Sequence, residues 1–335
     1  MPDLISVLIP AYNAEKWIAD TIKSAMAQNW PNKELIIVND GSTDNTLSVA
    51  KTFESKSIKV ITQDNCGASA ARNKALSFAQ GDYIQWLDAD DILAPDKISN
   101  QMQMAEAGHK SLELLSSAYG VFHYRHDKAK FSPSKLWQDL TPLDWVIEGF
   151  SNKIWMSDAA WLISRQLTEK AGLWDERLSL NDDGEYICRV VLSSENVKFV
   201  SAAKSYYRST GFTQLSRDCS ESGIQSLLLS LRLCIQHLRS FEDSERTREA
   251  CRALLQTYSY FFYTQKPELL KEINALASEL GGELIPPNLG WKANLLGKLL
   301  GPKLADKAVI RLRKMRFAAV VKWDEMLFKR ENCAR

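Results

Sequence analysis

Much of the usual equipment of a redox enzyme, a zinc protein or a membrane protein is missing from this 335-residue chain. Among its four histidines, His123 and His126 lie close together but have no further ligand types nearby, so a histidine metal centre is not expected. The six cysteines (Cys66, Cys188, Cys219, Cys234, Cys251 and Cys333) are scattered without a CxxC pair. That excludes a zinc-ribbon pattern or a disulfide framework and suits a reducing compartment. No uninterrupted apolar run approaches the roughly 18 residues of a membrane span. No signal-peptide pattern is visible before the first apolar run at Leu4. The resulting expectation is a cytoplasmic protein. The absence of GxGxxG after the first apolar run argues against a hydride-transfer dinucleotide fold, and the absence of GxxxxGK[ST] excludes a P-loop.

What is present is an ordinary soluble composition, 45% hydrophobic and 25% charged, long enough for one large α/β domain with an appendage or for two domains. The net charge is +1, unevenly placed: from Trp291 onward 12 Lys and Arg face 4 Asp and Glu, a net of +8, and the preceding residues hold 30 against 37, a net of −7.

Short apolar runs at Leu4–Ile9, Glu34–Val38, Ile58–Thr62 and from Tyr83 read as buried strands. Between them lie helical patterns reaching about Gln28, Phe53 and Ala79, with Ser42 or Thr43 a candidate cap for the second. Strand and helix alternating through short links predict a parallel sheet with helices on both faces. Ligands bind at the carboxyl ends of such strands. The polar clusters AYN, NDGSTD, QDN and DADD all fall there. In the last cluster Asp88 and Asp90 are two apart and project to one side if the backbone stays extended. Carboxylates that close repel unless a cation intervenes, and Mg²⁺ or Mn²⁺ would take them together with substrate phosphates. A solvated acidic turn is the alternative.

The motifs VLIPAYNAEKWI, ELIIVNDGSTDNT, NCGASAARNKAL and GDYIQWLDADD are similar, in order and spacing, to the family 2 inverting glycosyltransferases. The resemblance is strong over residues 4–95 and continues weakly to about 210. It implies a GT-A fold, a mainly parallel mixed sheet in a catalytic domain of residues 1–215, followed by a helical region, 216–335. It implies a nucleotide-diphosphate sugar donor, of the UDP-sugar type, and Mg²⁺ or Mn²⁺ as cofactor. By the same resemblance Pro10, Ala11, Tyr12, Asp40 and Arg72 bind the nucleotide, Asp88 lies against the ribose and metal, and Asp90 ligates the metal. Asp91 is left to cap or brace the following helix. An inverting transfer also needs a general base. GLWDERLSLNDDGEYICR resembles the family segment that carries it, with Asp183 as the base and Asp182 as the alternative. Asp stands where Glu is usual and Gly184 where an aromatic is common, which leaves the pair's orientation open. Arg189 completes that pattern, and Arg208 is a basic residue that can face the diphosphate.

Tryptophans 137, 145 and 155 fall where an acceptor loop is expected and serve either as sugar platforms or as core. Past Ser220 the pattern is helical, with a Gly/Pro linker at 281–288. The basic amphipathic tail beyond it suits an anionic membrane surface at the inner face, or packing on the domain or in a homo-oligomer. It accompanies no nucleic-acid module. The expected function is sugar transfer to a glycan or lipid-linked acceptor. A sugar-nucleotide-binding partner subunit without activity and a membrane-bound helical adaptor are the rivals.

Overall fold

The computed structural model describes residues 2–106, 112–209, 220–285 and 302–333. The first half builds β1 (Ile5–Ala11), α1 (Ile18–Met26), β2 (Lys33–Asp40), α2 (Thr46–Lys51), β3 (Ile58–Gln63), α3 (Ala68–Phe78) and β4 (Tyr83–Trp86). Two short elements follow, β5 (Ile92–Leu93) and α4 (Lys97–Glu106), then β6 (Glu113–Phe122), β7 (Lys130–Phe131), α5 (Pro142–Asn152), β8 (Ile163–Ser164), α6 (Arg165–Ala171), α7 (Asp182–Ser193) and β9 (Asn196–Arg208). The remaining helices are α8 (Glu221–Phe241), α9 (Glu245–Gln265), α10 (Leu270–Glu279) and α11 (Pro302–Cys333).

The main sheet has the order β3-β2-β1-β4-β8, its first four strands parallel and β8 antiparallel. Strand alternation divides its side chains between two cores. Ile5, Val7 and Ile9 of β1, with Leu35 and Ile37 of β2, pack under α1, α2 and α4. Leu8, Ile36, Val38, Ile84 and Trp86 face the opposite side and pack against α3 and α7. Helices therefore cover both faces, which is why these strands read as continuous apolar runs. A second sheet, β5-β9-β6-β7, is organised around the long parallel pair β6–β9, interrupted by a bulge at Ser117/Ala118.

The second core continues without a break into Leu227, Leu231, Leu255, Phe262 and Ile273: α8 packs on α7, α9 on α5 and α8, and α10 on α9. Helix α11 docks elsewhere. Asp324 accepts from the backbone N–H of Tyr124 (2.9 Å) and from Arg125 Nε (2.8 Å), Glu331 pairs with Arg125 (2.8 Å), and Phe328 lies against Tyr124. The linker expected at 281–288 is irregular as far as 285. Its remainder, and Trp291 in the tail, lie outside the described residues.

Two local expectations change. Helix α2 starts at Thr46, and neither Ser42 nor Thr43 caps it. Asp44 accepts from the N–H of Thr46, while Ser42 and Thr43 bond with Asn13 and tie the loop after β2 to the loop after β1. The tryptophan-rich stretch is partly helix α5. Trp145 is buried there and Trp137 stacks on Phe199, so both are core, whereas Trp155 is exposed.

Candidate active site

The carboxyl ends of β1, β2 and β4 lie side by side, in register from Ile5–Lys33 to Ala11–Asn39 and from Ile5–Tyr83 to Leu8–Trp86. Pairing with β4 ends at Leu8, so Pro10 sits where only β2 adjoins and its missing N–H disturbs little. Pro10 and Ala11 are buried in the strand. Tyr12, just beyond, is 47% exposed and offers its ring to solvent at the sheet rim.

Asp40 ends β2 almost fully buried. Its carboxylate accepts from Gln63 Nε2 (2.8 Å) and from the backbone N–H groups of Cys66 (2.9 Å) and Gly67 (2.9 Å). In this structure the side chain therefore fastens the loop that opens α3, and α2 has no part in it. Gly41 makes that approach possible: its φ is +67°, and a Cβ there would lie 2.6 Å from the Asn65 nitrogen.

At the end of β4 the backbone leaves the extended conformation and turns, with Asp91 N–H donating to Asp88 C=O (3.0 Å). The expected same-side projection from a strand is replaced by a turn that gathers the carboxylates. The turn is anchored on successive carbonyls. Thr21 Oγ1 of α1 donates to those of Ala89 and Asp91 (2.9 Å each), and Arg208 Nε of β9 donates to that of Asp90 (2.6 Å). The Arg208 guanidinium also lies over Trp17 (4.4 Å) and Phe122 (4.6 Å). Asp91 braces no helix. It is buried, Arg208 N–H donates to it (2.8 Å), and Ser157 Oγ lies 3.3 Å away. Burial, then the neighbouring Asp90 and Asp88, raise the Asp91 carboxyl well above the usual range. Burial and Asp88 push Asp90 up to about 7, against the pull of Arg208.

Arg72 of α3 is the hub. Its buried guanidinium pairs with Asp88 (2.9 Å), Asp182 (2.8 Å) and Asp158 (3.2 Å), and it lies 4.3 Å over the Trp174 ring. Trp174 in turn stacks on Tyr186 (3.9 Å between centroids), with Trp86 edge-on to both. The desolvation cost of burying the guanidinium is outweighed by its carboxylates, so Arg72 is held charged. Asp158, in a short 3-10 turn, is raised well above the usual range by burial despite Arg72. Asp158 is not marked in the sequence, because nothing local in WMSDAAW sets one buried aspartate apart from a polar turn.

Asp182 and Asp183 open α7. Asp182 pairs with Arg72, while Asp183 accepts from the Gly184 N–H (2.8 Å). Burial, then Asp182, push Asp183 up to about 6. The segment is clamped by α8. Ser226 Oγ accepts from the N–H groups of Ser179 (2.8 Å) and Leu180 (2.9 Å), and Ser230 Oγ accepts from Asn181 Nδ2 (2.6 Å) and donates to Asn181 C=O (2.8 Å). Asn181 is left-handed at φ +59°, and Tyr258 of α9 bonds to its Oδ1 (3.3 Å). Gly184 is explained by this: a Cβ there would come within 2.6 Å of Asn181 Oδ1. Arg189 lies over the Tyr186 ring (5.5 Å). It pairs with buried Glu185, itself bonded to His237, and donates to the carbonyl of Leu173.

Of the residues expected from sequence, Arg72, Asp88, Asp90, Asp182 and Asp183 thus converge, Pro10, Ala11 and Tyr12 line the adjoining rim, and Asp40 stands behind it. A mainly parallel sheet with helices on both faces, an antiparallel strand at its edge and a carboxylate cluster at its strand ends has the architecture of a GT-A fold. Residues 6–156 match the model of Glycosyl transferase family 2, so this segment is similar to that family. Over 135 residues, 40% of this chain and 53% of the relative, it is 40% identical to an Escherichia coli protein described as UDP-Glc:alpha-D-GlcNAc-diphosphoundecaprenol beta-1,3-glucosyltransferase WfgD. It is 44% identical over 103 residues, 30% of this chain and 41% of the relative, to the Bacillus subtilis putative teichuronic acid biosynthesis glycosyltransferase TuaG. The chain spans about half the length of these curated relatives. The fold of S. aureus TarS residues 1–349, solved in complex with UDP, superimposes with a TM-score of 0.64 at 18% identity, covering 96% of this chain and 91% of that one.

Proposed function

We propose that this protein is a metal-dependent, inverting glycosyltransferase that moves a sugar from a UDP-type donor to a saccharide or lipid-linked acceptor. One observation carries the reading: the Arg72 guanidinium binds both Asp88, from the donor-side turn, and Asp182, from the α7 start beside the base. The donor half and the acceptor half are thereby one site. The UDP-linked and diphosphoundecaprenol-linked substrates in the names of the E. coli relatives support the choice of donor and acceptor.

The residues present fit a hard divalent cation. Among the described residues no group of three or more His, Cys, Asp or Glu is placed to hold a metal ion by itself. Two carboxylates that share the ion with diphosphate oxygens and water are the usual arrangement for Mg²⁺ or Mn²⁺. Burial, then Asp88, disfavour the ionised Asp90 carboxyl, and such an ion beside it would favour that ionised form. Asp90 and Asp88 would hold it, and it would supply neutralisation of the departing diphosphate. The protein does the rest. Tyr12 offers a face to the base, Arg208 fixes the turn, and Asp183 accepts the proton of the acceptor hydroxyl. The hydroxyl oxygen bonds to the anomeric carbon as the bond to the nucleoside diphosphate breaks, inverting that centre. At about 6, the Asp183 carboxyl is largely ionised at neutral pH yet more basic than a solvated aspartate.

Helix α11 holds the enzyme against the inner face of a membrane. On this helix Leu312, Met315, Ala319, Trp323 and Met326 recur on one face and are exposed, away from the face that carries Phe317, Asp324 and Phe328. Exposed Arg311, Arg316, Lys322 and Arg330 flank the stripe. Apolar stripe and basic flanks together match an anionic lipid interface. Among the described residues no helix is long and apolar enough to cross a membrane.

The test is release of UDP from a panel of UDP-sugars with Mn²⁺, with and without saccharide acceptors, in the wild type and Asp183→Asn. Activity in the wild type that is lost in the variant, with UDP binding retained, is expected. A wild type that binds UDP but releases none from any donor would make the protein a binding subunit. For α11, sedimentation with vesicles containing anionic lipid is expected for the wild type and lost on Leu312→Glu/Trp323→Glu. A concentration-dependent dimer abolished by the same changes would instead assign the stripe to a second copy.

A further inference from the structure

Trp155 is the one tryptophan of its stretch that does not fill the core: it is 47% exposed. Its position is nevertheless tightly set. Its ring lies edge-on to Tyr207 (5.2 Å between centroids) and tilted against Tyr119 (5.4 Å), and the Tyr119 hydroxyl donates to the Trp155 carbonyl (3.2 Å). The chain on either side is tied into the carboxylate cluster. Two residues on, Ser157 Oγ lies 3.3 Å from Asp91; three residues on, Asp158 pairs with Arg72 at 3.2 Å. Three residues of extended chain reach about 10 Å, so Trp155 stands within one sugar-ring length or two of the Arg72 cluster. Tyr207 is tied in as closely, because the next residue, Arg208, donates through its side chain to Asp90 C=O and through its backbone to Asp91.

A large, half-exposed indole held rigid on two aromatic neighbours gains nothing for folding by facing solvent. Its flat face suits the apolar C–H face of a pyranose, and a fixed aromatic binds such a ring with little entropy lost. We propose that Trp155, buttressed by Tyr119 and Tyr207, is the stacking platform for the acceptor's terminal sugar, holding the acceptor hydroxyl toward Asp183. This rests on the glycosyltransferase reading above and adds to it the element that binds the acceptor.

The experiment uses the full chain with Mn²⁺ and measures two reactions, hydrolysis of the UDP-sugar without acceptor and transfer to a short-chain GlcNAc-diphospholipid or a panel of free oligosaccharides. Trp155→Ala is expected to raise the acceptor KM about tenfold, the order of a lost aromatic contact, with hydrolysis and donor KM unchanged. Trp155→Phe is expected to recover most of the loss. An unchanged acceptor KM in Trp155→Ala overturns the platform, as does hydrolysis falling by the same factor as transfer. A wild type that hydrolyses a donor but uses no saccharide acceptor also overturns it. A wild type that hydrolyses no donor strikes the parent reading instead, so the two failures are distinct.

Discussion

Replacing Arg72 by Met would separate the electrostatic role of the hub from its packing. Methionine keeps much of the volume over Trp174 but leaves Asp88, Asp158 and Asp182 without their shared cation. Removing one partner of a buried ion pair costs about 3–5 kcal/mol, because the remaining charge stays desolvated. For a domain this large, at roughly 2 °C per kcal/mol, the melting temperature should fall by about 6–10 °C at pH 8. The loss should be smaller at pH 5. The orphaned carboxylates then escape by taking up protons, and Asp158 is already raised well above the usual range. Thermal unfolding at the two pH values measures both effects, and transfer activity should vanish at each. A loss below about 1 kcal/mol at pH 8, or one equal at both pH values, would refute the view that the guanidinium holds the two halves together by charge.

Three further outcomes are expected. With Asp183 pushed up to about 6, kcat/KM should fall below that pH with the slope of a single proton, and Asp183→Asn should lose roughly 10²–10⁴-fold above it and no longer show that fall; a pH profile unchanged in the variant would count against the assignment. In metal-free protein the native state binds more protons than the unfolded chain between about pH 4 and 7, since Asp90 and Asp183 move up to about 7 and about 6 from 3.8. Stability in EDTA should therefore decline as pH rises through that window, and Mn²⁺ with UDP should restore it at pH 8; a flat or rising melting temperature would contradict the assigned shifts. Ser226→Ala leaves the Ser179 and Leu180 N–H groups without their acceptor and should cost about 1–3 kcal/mol. Because the clamp positions the α7 start, kcat should drop with donor KM unchanged, and equal changes in both would show a general loosening instead.

The four apolar runs and the polar residues that follow each were enough to read the parallel sheet and its rim. Strand burial on both faces leaves a one-dimensional mark, a continuous β-branched run, and Val7 beside Leu8 or Ile36 beside Ile37 carries it plainly. The α8 and α9 helices were equally visible, because amphipathic spacing is local. The starting point of α2 is not legible in the sequence because Ser42 and Thr43 bond across to Asn13, and a cap looks the same in sequence whether it serves its own helix or a neighbouring loop. Core and exposed tryptophans could not be separated either, since Trp145 and Trp155 differ only in what packs on them.

Residue order alone therefore determined the sheet, the strand-end location of the site and most of its carboxylates, because each depends on neighbours along one strand or helix. Tertiary structure decided what those carboxylates are to one another. Asp158 entered the cluster, Arg72 became its shared cation, and Asp40 turned to the loop before α3. It also showed why Gly184 stands in α7, where Asn181 occupies the space a side chain would need. Those relations join residues far apart in the chain through charge and contact at a few ångströms, and no local periodicity records them.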